Sequence, residues 1–154
     1  MWVEITENAI KRNEANKYSV AHSLLKDKNG EYTLVFNKKW NQYAPIGGKL
    51  DGDEQYVPVQ GLIREIVEEV GLVNITGIKM IQEFQEPFDR NGVTINPRAV
   101  LYIVEHDGYI KETEEEFLSI VKLNKKLIAS FEYGVNTYTC LKPMIEHIEH
   151  DVKR

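Results

Sequence analysis

Glu65, Glu68 and Glu69 are the side chains in this sequence best spaced to do chemistry together. They belong to PVQGLIREIVEEV, Pro58 to Val70, in which Val59, Ile63, Ile66, Val67 and Val70 recur at three- and four-residue steps. That spacing predicts a short helix with one apolar face on a core. Pro58 suits its first turn, and Gly71 suits the left-handed residue just past its end. At roughly 100° per residue the three carboxylates project within about 100° of one another. Like charges so placed cost a few tenths of a kcal/mol per pair, and they crowd the helix end whose dipole disfavours anions. A hard divalent cation, which takes oxygen ligands, would offset both penalties. The plainer reading is a solvated acidic face.

Four neighbouring features weigh against the plain reading: the Gly47-Gly48 pair, the acidic loop Asp51-Gly52-Asp53-Glu54, Arg64 within the acidic run, and the Gly71 stop. Together they resemble the Nudix hydrolase signature. That signature is a glycine, five residues, a glutamate, seven residues, then Arg-Glu-apolar-any-Glu-Glu-any-Gly-apolar. Gly48 and Glu54 keep the first spacing, and Arg64 to Leu72 match every fixed position of the second part. The departure is an insertion of two residues between Glu54 and Arg64, which the position of Pro58 places in Gln55 to Val57. The insertion leaves the helix face intact and leaves the reach of Glu54 open.

The resemblance implies metal-dependent hydrolysis of a nucleoside diphosphate linked to another moiety, with Mg²⁺ or Mn²⁺ as cofactor. It assigns Glu68 and Glu69 as metal ligands, Glu65 as a further ligand or the general base, and the carbonyl of Gly48 as a ligand. Arg64 cannot act as a base, but one helical turn before Glu68 it can hold a carboxylate by charge-assisted hydrogen bonds. Glu105, at the end of an expected strand, is the alternative base; the plain reading is surface exposure. For substrate, Phe84 is a candidate to stack on a base, and Lys49 and Arg98 to meet phosphate. Trp40, Tyr43, Phe88 and Tyr133 are further candidates to stack and Arg90 to meet phosphate; for each aromatic, Phe84 included, the plain reading is core. His147 and His150 read as solvated polar residues near the end of a helix.

The chain has 154 residues, 42% hydrophobic and 28% charged, and these values fit one soluble globular domain spanning residues 1–154. Its net charge of −5 and lack of a basic run argue against a nucleic acid polymer, leaving a nucleotide-type small molecule as the expected partner. Cys140 is the only cysteine, and no apolar run approaches the roughly 20 residues that cross a bilayer. Both point to a cytoplasmic protein with no membrane partner. A homodimer is compatible with these residues.

Around the signature, the sequence predicts a polar helix or arm at Ile5–Ala15, a strand at Tyr18–Leu25, a turn at Asp27–Gly30 and a returning strand at Glu31–Phe36. Beyond it come one or two strands in Val73–Phe84 broken at Gly77, a turn-rich loop at Gln85–Pro97 and a central strand at Ala99–Val104. Thr113–Glu116 fits a capping box, although Phe117–Leu123 could equally be a strand. The resemblance favours that strand, with a short helix starting near Asn124. A final helix is expected at Leu141–Val152. The fold class implied is α/β, an α/β/α sandwich around a mixed, partly barrel-like sheet.

Two other functions compete. One is a non-catalytic Nudix-like module that binds a nucleotide for regulation; the intact set Glu65, Glu68 and Glu69 favours an enzyme instead. The other is an isomerase of isoprenoid diphosphates on the same fold. That chemistry needs an active-site cysteine, and Cys140 is expected in the tail, away from the helix.

Overall fold

A strand buried along most of its length organises the molecule. In the computed structural model, which describes residues 17–72, 74–85, 88–95, 98–111 and 117–152, that strand is β1, Val20–Lys26. It pairs antiparallel with β2 (Tyr32–Asn37) and β4 (Ile46–Lys49), and parallel with β8 (Arg98–His106). β3 (Gln42–Ala44) and β5 (Ile75–Gln85) lie at the two ends, and β9 (Leu118–Lys122) joins β2, giving an open, mixed, seven-stranded sheet.

Strand alternation decides which face each residue serves. Ala21, Leu25, Val100, Tyr102 and Val104 meet Leu62, Ile66 and Val70 of α1 (Pro58–Val70). Leu24, Leu101 and Ile103 point the other way, onto Leu141, Met144, Ile145 and Ile148 of α3 (Leu141–Val152). The result is the expected three-layer sandwich. A five-residue helix, α2 (Lys125–Ala129), starts where the Asn124 side chain accepts a hydrogen bond from Leu127 N.

Three local expectations need correction. The inward stripe of α1 is Leu62, Ile66 and Val70, whereas Val67 is 40% exposed, so the apolar face is turned from the one the spacing suggested. Gly77 does not break β5 but marks a shift of register against β8. Gln85–Pro97 is not simply a loop: β6 (Phe88–Arg90) and β7 (Val93–Ile95) form a hairpin around Asn91 and Gly92, both at positive φ. The arm at 5–15 and the capping box at 113–116 lie outside the described residues, as do the side chains of Phe88 and Arg90.

Candidate active site

The paired glycines and α1 meet because β4 lies alongside the helix. Gly47 adopts φ of 149°, and a Cβ there would stand 2.1 Å from the carbonyl oxygen of Ala21 on β1. Only glycine allows so close an approach. Gly48 follows, and a Cβ on it would stand 3.0 Å from the carboxyl carbon of Glu65. The missing side chain thus leaves a cradle in which the Glu65 carboxylate rests. Glu69, one turn on, accepts a hydrogen bond of 3.3 Å from Gly47 N. Gly61 serves packing, since a Cβ there would press on Leu50 and Glu54.

Arg64 binds the acidic residues into one network. Its Nε donates to Glu54 at 2.7 Å and its Nη2 to the other oxygen of Glu54 at 2.8 Å, a forked pair. Nη1 donates to Glu65 at 3.3 Å and Glu68 at 3.2 Å, and Nη2 also reaches the Lys49 carbonyl at 3.2 Å. The hydrogen bonds it donates to Glu54 raise the Arg64 pKa further above its ordinary value, and Arg64 holds the Glu54 carboxyl below the usual range. Glu54 therefore does reach the helix despite the insertion, but its partner is Arg64. The glutamates divide in consequence: Glu65, with a side chain 17% exposed, and Glu69 face a cavity, while Glu68 at 57% faces outward.

That cavity, about 190 Å³, is walled by Gly47, Gly48, Glu65, Glu69, Phe117 and Tyr138. A second cavity of about 570 Å³ lies on the α3 face of the sheet, with Trp40, Phe84, Tyr138 and Cys140 in its wall and Gln42 and Thr139 as polar edges. His22 and Tyr138 line both. His22 is half-buried; its Nδ1 is sequestered with no hydrogen-bond partner among the described residues, and burial pushes its pKa from 6.5 down to about 4.

No family model matches the chain, and no curated protein matches it either. Solved structures do. A MutT protein from Methanosarcina mazei superposes with a TM-score of 0.58 at 16% identity, over 92% of this chain and 100% of its own. The NUDIX domain of Shewanella oneidensis NrtR, solved with ADP-ribose, gives 0.63 at 11% identity over 96% and 99%. The Escherichia coli dihydroneopterin triphosphate pyrophosphohydrolase gives 0.58 at 15% identity over 78% and 92%. The chain has the Nudix fold.

On this Nudix fold the expected residues do not all assemble. Gly48, Arg64, Glu65, Glu68 and Glu69 come together, and Phe84 lines the aromatic cavity. Glu105 does not join them. It continues the parity of Leu101 and Ile103, on the sheet face opposite α1, and its partner on β1 is Lys26, whereas Gly48 pairs with Ala21. Five residues of strand amount to about 17 Å. Arg98 is held by Glu83 at 2.9 to 3.1 Å and lies 4.2 Å over the Tyr18 ring, in neither cavity wall. Lys49 is exposed at the end of β4. Tyr43 and Tyr133 pack against Phe131 in the core below α3.

Sequence reasoning missed His22, Gln42 and Tyr138. Alternation along Val20–Lys26 was the available signal for His22, because it puts the ring on the face of Leu24. Cys140 stands in the tail as expected, just before α3 and on the sheet face away from α1; it lines the aromatic cavity and does not border the carboxylate cavity.

Three carboxylates and a backbone carbonyl are hard oxygen donors of the kind Mg²⁺ and Mn²⁺ take, and the Gly48 cradle keeps room beside them. Among the described residues no three His, Cys, Asp or Glu side chains already stand close enough to hold an ion together. Glu65 and Glu68 are instead bonded to Arg64, and Glu69 to Gly47 N.

The buried imidazole makes stability pH-dependent. Below 6.5 the unfolded chain protonates His22 while the folded chain does not until about 4, so stability falls as pH drops through that window. The loss reaches at most about 3 kcal/mol. In His22→Leu this part of the acid limb should vanish from denaturant midpoints measured between pH 7 and 4; an unchanged slope would show that the imidazole titrates normally in the fold.

Proposed function

We propose that this protein hydrolyses a diphosphate bond in a nucleotide-type small molecule, using Mg²⁺ or Mn²⁺. The observation that carries the reading is the carboxylate cavity at Gly48 and Glu65 adjoining an aromatic cavity across His22 and Tyr138. A planar base fits the larger cavity against Trp40 and Phe84, and the phosphates fit beside the acids. Glu69 and the Gly48 carbonyl would hold the cation, joined by Glu68 on turning in from its outward position, with Glu65 as a further ligand or as the base. A divalent cation bound there supplies charge neutralisation of the phosphate oxygens and a more acidic water. Arg64 positions Glu65 and Glu68 through the geometry already described, and its forked grip on Glu54 anchors it to the preceding loop. Glu65 is lodged against β4 and points into the cavity, so its carboxylate can take a proton from an attacking water. The likeness to a NUDIX domain solved with ADP-ribose supports a nucleotide-type ligand.

A second reading, a nucleotide-binding module without turnover, draws on the same network. Arg64 occupies two of the acids, which suits a site that binds without reacting. Release of phosphate or diphosphate over a panel of nucleotides and nucleoside diphosphate conjugates, with Mg²⁺ or Mn²⁺ and with chelator, separates the two. Metal-dependent release from at least one compound is expected. Binding with no release from any compound would favour the module.

A further inference from the structure

We propose that His22 is a specificity-determining residue that selects substrates by a sugar hydroxyl, distinguishing ribonucleotides from their deoxy counterparts. The inference rests on the hydrolytic reading only for where the two ends of the ligand lie. With a base against Trp40 and Phe84 and phosphates beside Gly48 and Glu65, the connecting sugar must cross the waist between the cavities. Two side chains line both cavities, His22 and Tyr138. Tyr138 is hydrogen-bonded to Asn37. Among the described residues His22 Nδ1 has no hydrogen-bond partner.

The backbone holds His22 at this point. Its register partner on β4 is Gly47, whose own N–H is bonded to Glu69, and the next pair along is Ala21 with Gly48. The imidazole thus stands one residue from the phosphate end of the site and on the wall of the base end. A half-buried ring presents an edge to the cavity, and a half-turn about Cβ–Cγ exchanges the sides on which its nitrogens lie. A hydroxyl, able both to donate and to accept, satisfies an imidazole nitrogen in either tautomer. A hydrogen at the same sugar position leaves that nitrogen unpaired. Leaving a buried polar atom unmet costs about tenfold or more in affinity. The competing interpretation, a core histidine on the face of Leu24, predicts no discrimination at all.

The test compares the four ribonucleoside triphosphates with their 2′-deoxy and 3′-deoxy forms, by kcat/KM with Mg²⁺ and by calorimetric binding of the corresponding monophosphates. The wild-type protein should favour the ribonucleotide about tenfold over one of the two deoxy series. In His22→Leu the ratio should fall to within about twofold, through loss on the ribonucleotide alone. His22→Asn, whose amide can stand where Nδ1 does, should keep part of it. Equal ratios in wild type and His22→Leu, or no preference in wild type, would overturn the proposal; the wild-type measurement decides even if the variants fold poorly. Binding that discriminates without any turnover would refute hydrolysis and leave the role of His22 standing. No binding of any nucleotide would overturn both.

Discussion

Glu65→Gln should lower metal-dependent turnover by about 10²–10⁴-fold while leaving the melting temperature nearly unchanged. The amide has the shape of the carboxylate, so it still fits beside Gly48, where a Cβ would come within 3.0 Å of the carboxyl carbon. It still accepts a hydrogen bond from Arg64 through its oxygen, and Arg64 keeps its forked pair with Glu54. What it lacks is a negative oxygen able to take a proton or bind a hard cation. Two measurements distinguish those roles. If Glu65 is the base, Mn²⁺ affinity survives the substitution and kcat alone falls. If it is a ligand, affinity falls with it, and excess metal restores part of the rate. A variant with wild-type kcat at ordinary Mg²⁺ would remove Glu65 from the chemistry. Glu105 is the weaker candidate for the base, because β8 carries it to the opposite sheet face.

Much of this arrangement was legible in the sequence because it depends on local rules. Pro58 and Gly71 bracket α1 as expected, with Gly71 at φ of 65°. Asn124 caps the helix that follows β9, and the continuous apolar run at Ala99–Val104 lies within the strand between β1 and β5. What was not legible depends on contacts distant in sequence. Helical spacing confines Glu65, Glu68 and Glu69 to one arc, but only the position of β4 decides that Glu65 and Glu69 look into a cavity and Glu68 away from it. Arg98 had the charge to meet a phosphate; pairing of β5 with β8 brings Glu83 to it first. The hairpin around Asn91-Gly92 carries a turn signal, but its strands are only three residues long, too short for alternation to mark them.

Gly47→Ala should destabilise the fold by about 3–5 kcal/mol, combining backbone strain at positive φ with overpacking. For a chain of this size that corresponds to a fall of roughly 10–15 °C in Tm. The added methyl would meet the Ala21 carbonyl oxygen at 2.1 Å and the His22 Cα at 2.9 Å, both backbone atoms. Relief by a side-chain rotation is therefore unavailable. Nor can β1 retreat, because it is bonded to β2, β4 and β8 at once. The strain must instead push β4 away, and β4 carries the Gly47 N–H that holds Glu69 and the Gly48 cradle that holds Glu65. Stability and turnover should fall together in this variant, unlike in Glu65→Gln. Gly61→Ala is the informative contrast, since its methyl would meet the side chains of Leu50 and Glu54 rather than strand backbone, and without the strain of a positive φ. A Gly47→Ala protein that melts within about 3 °C of wild type would mean that β4 is not clamped to β1 as described, and the cradle would lose its structural basis.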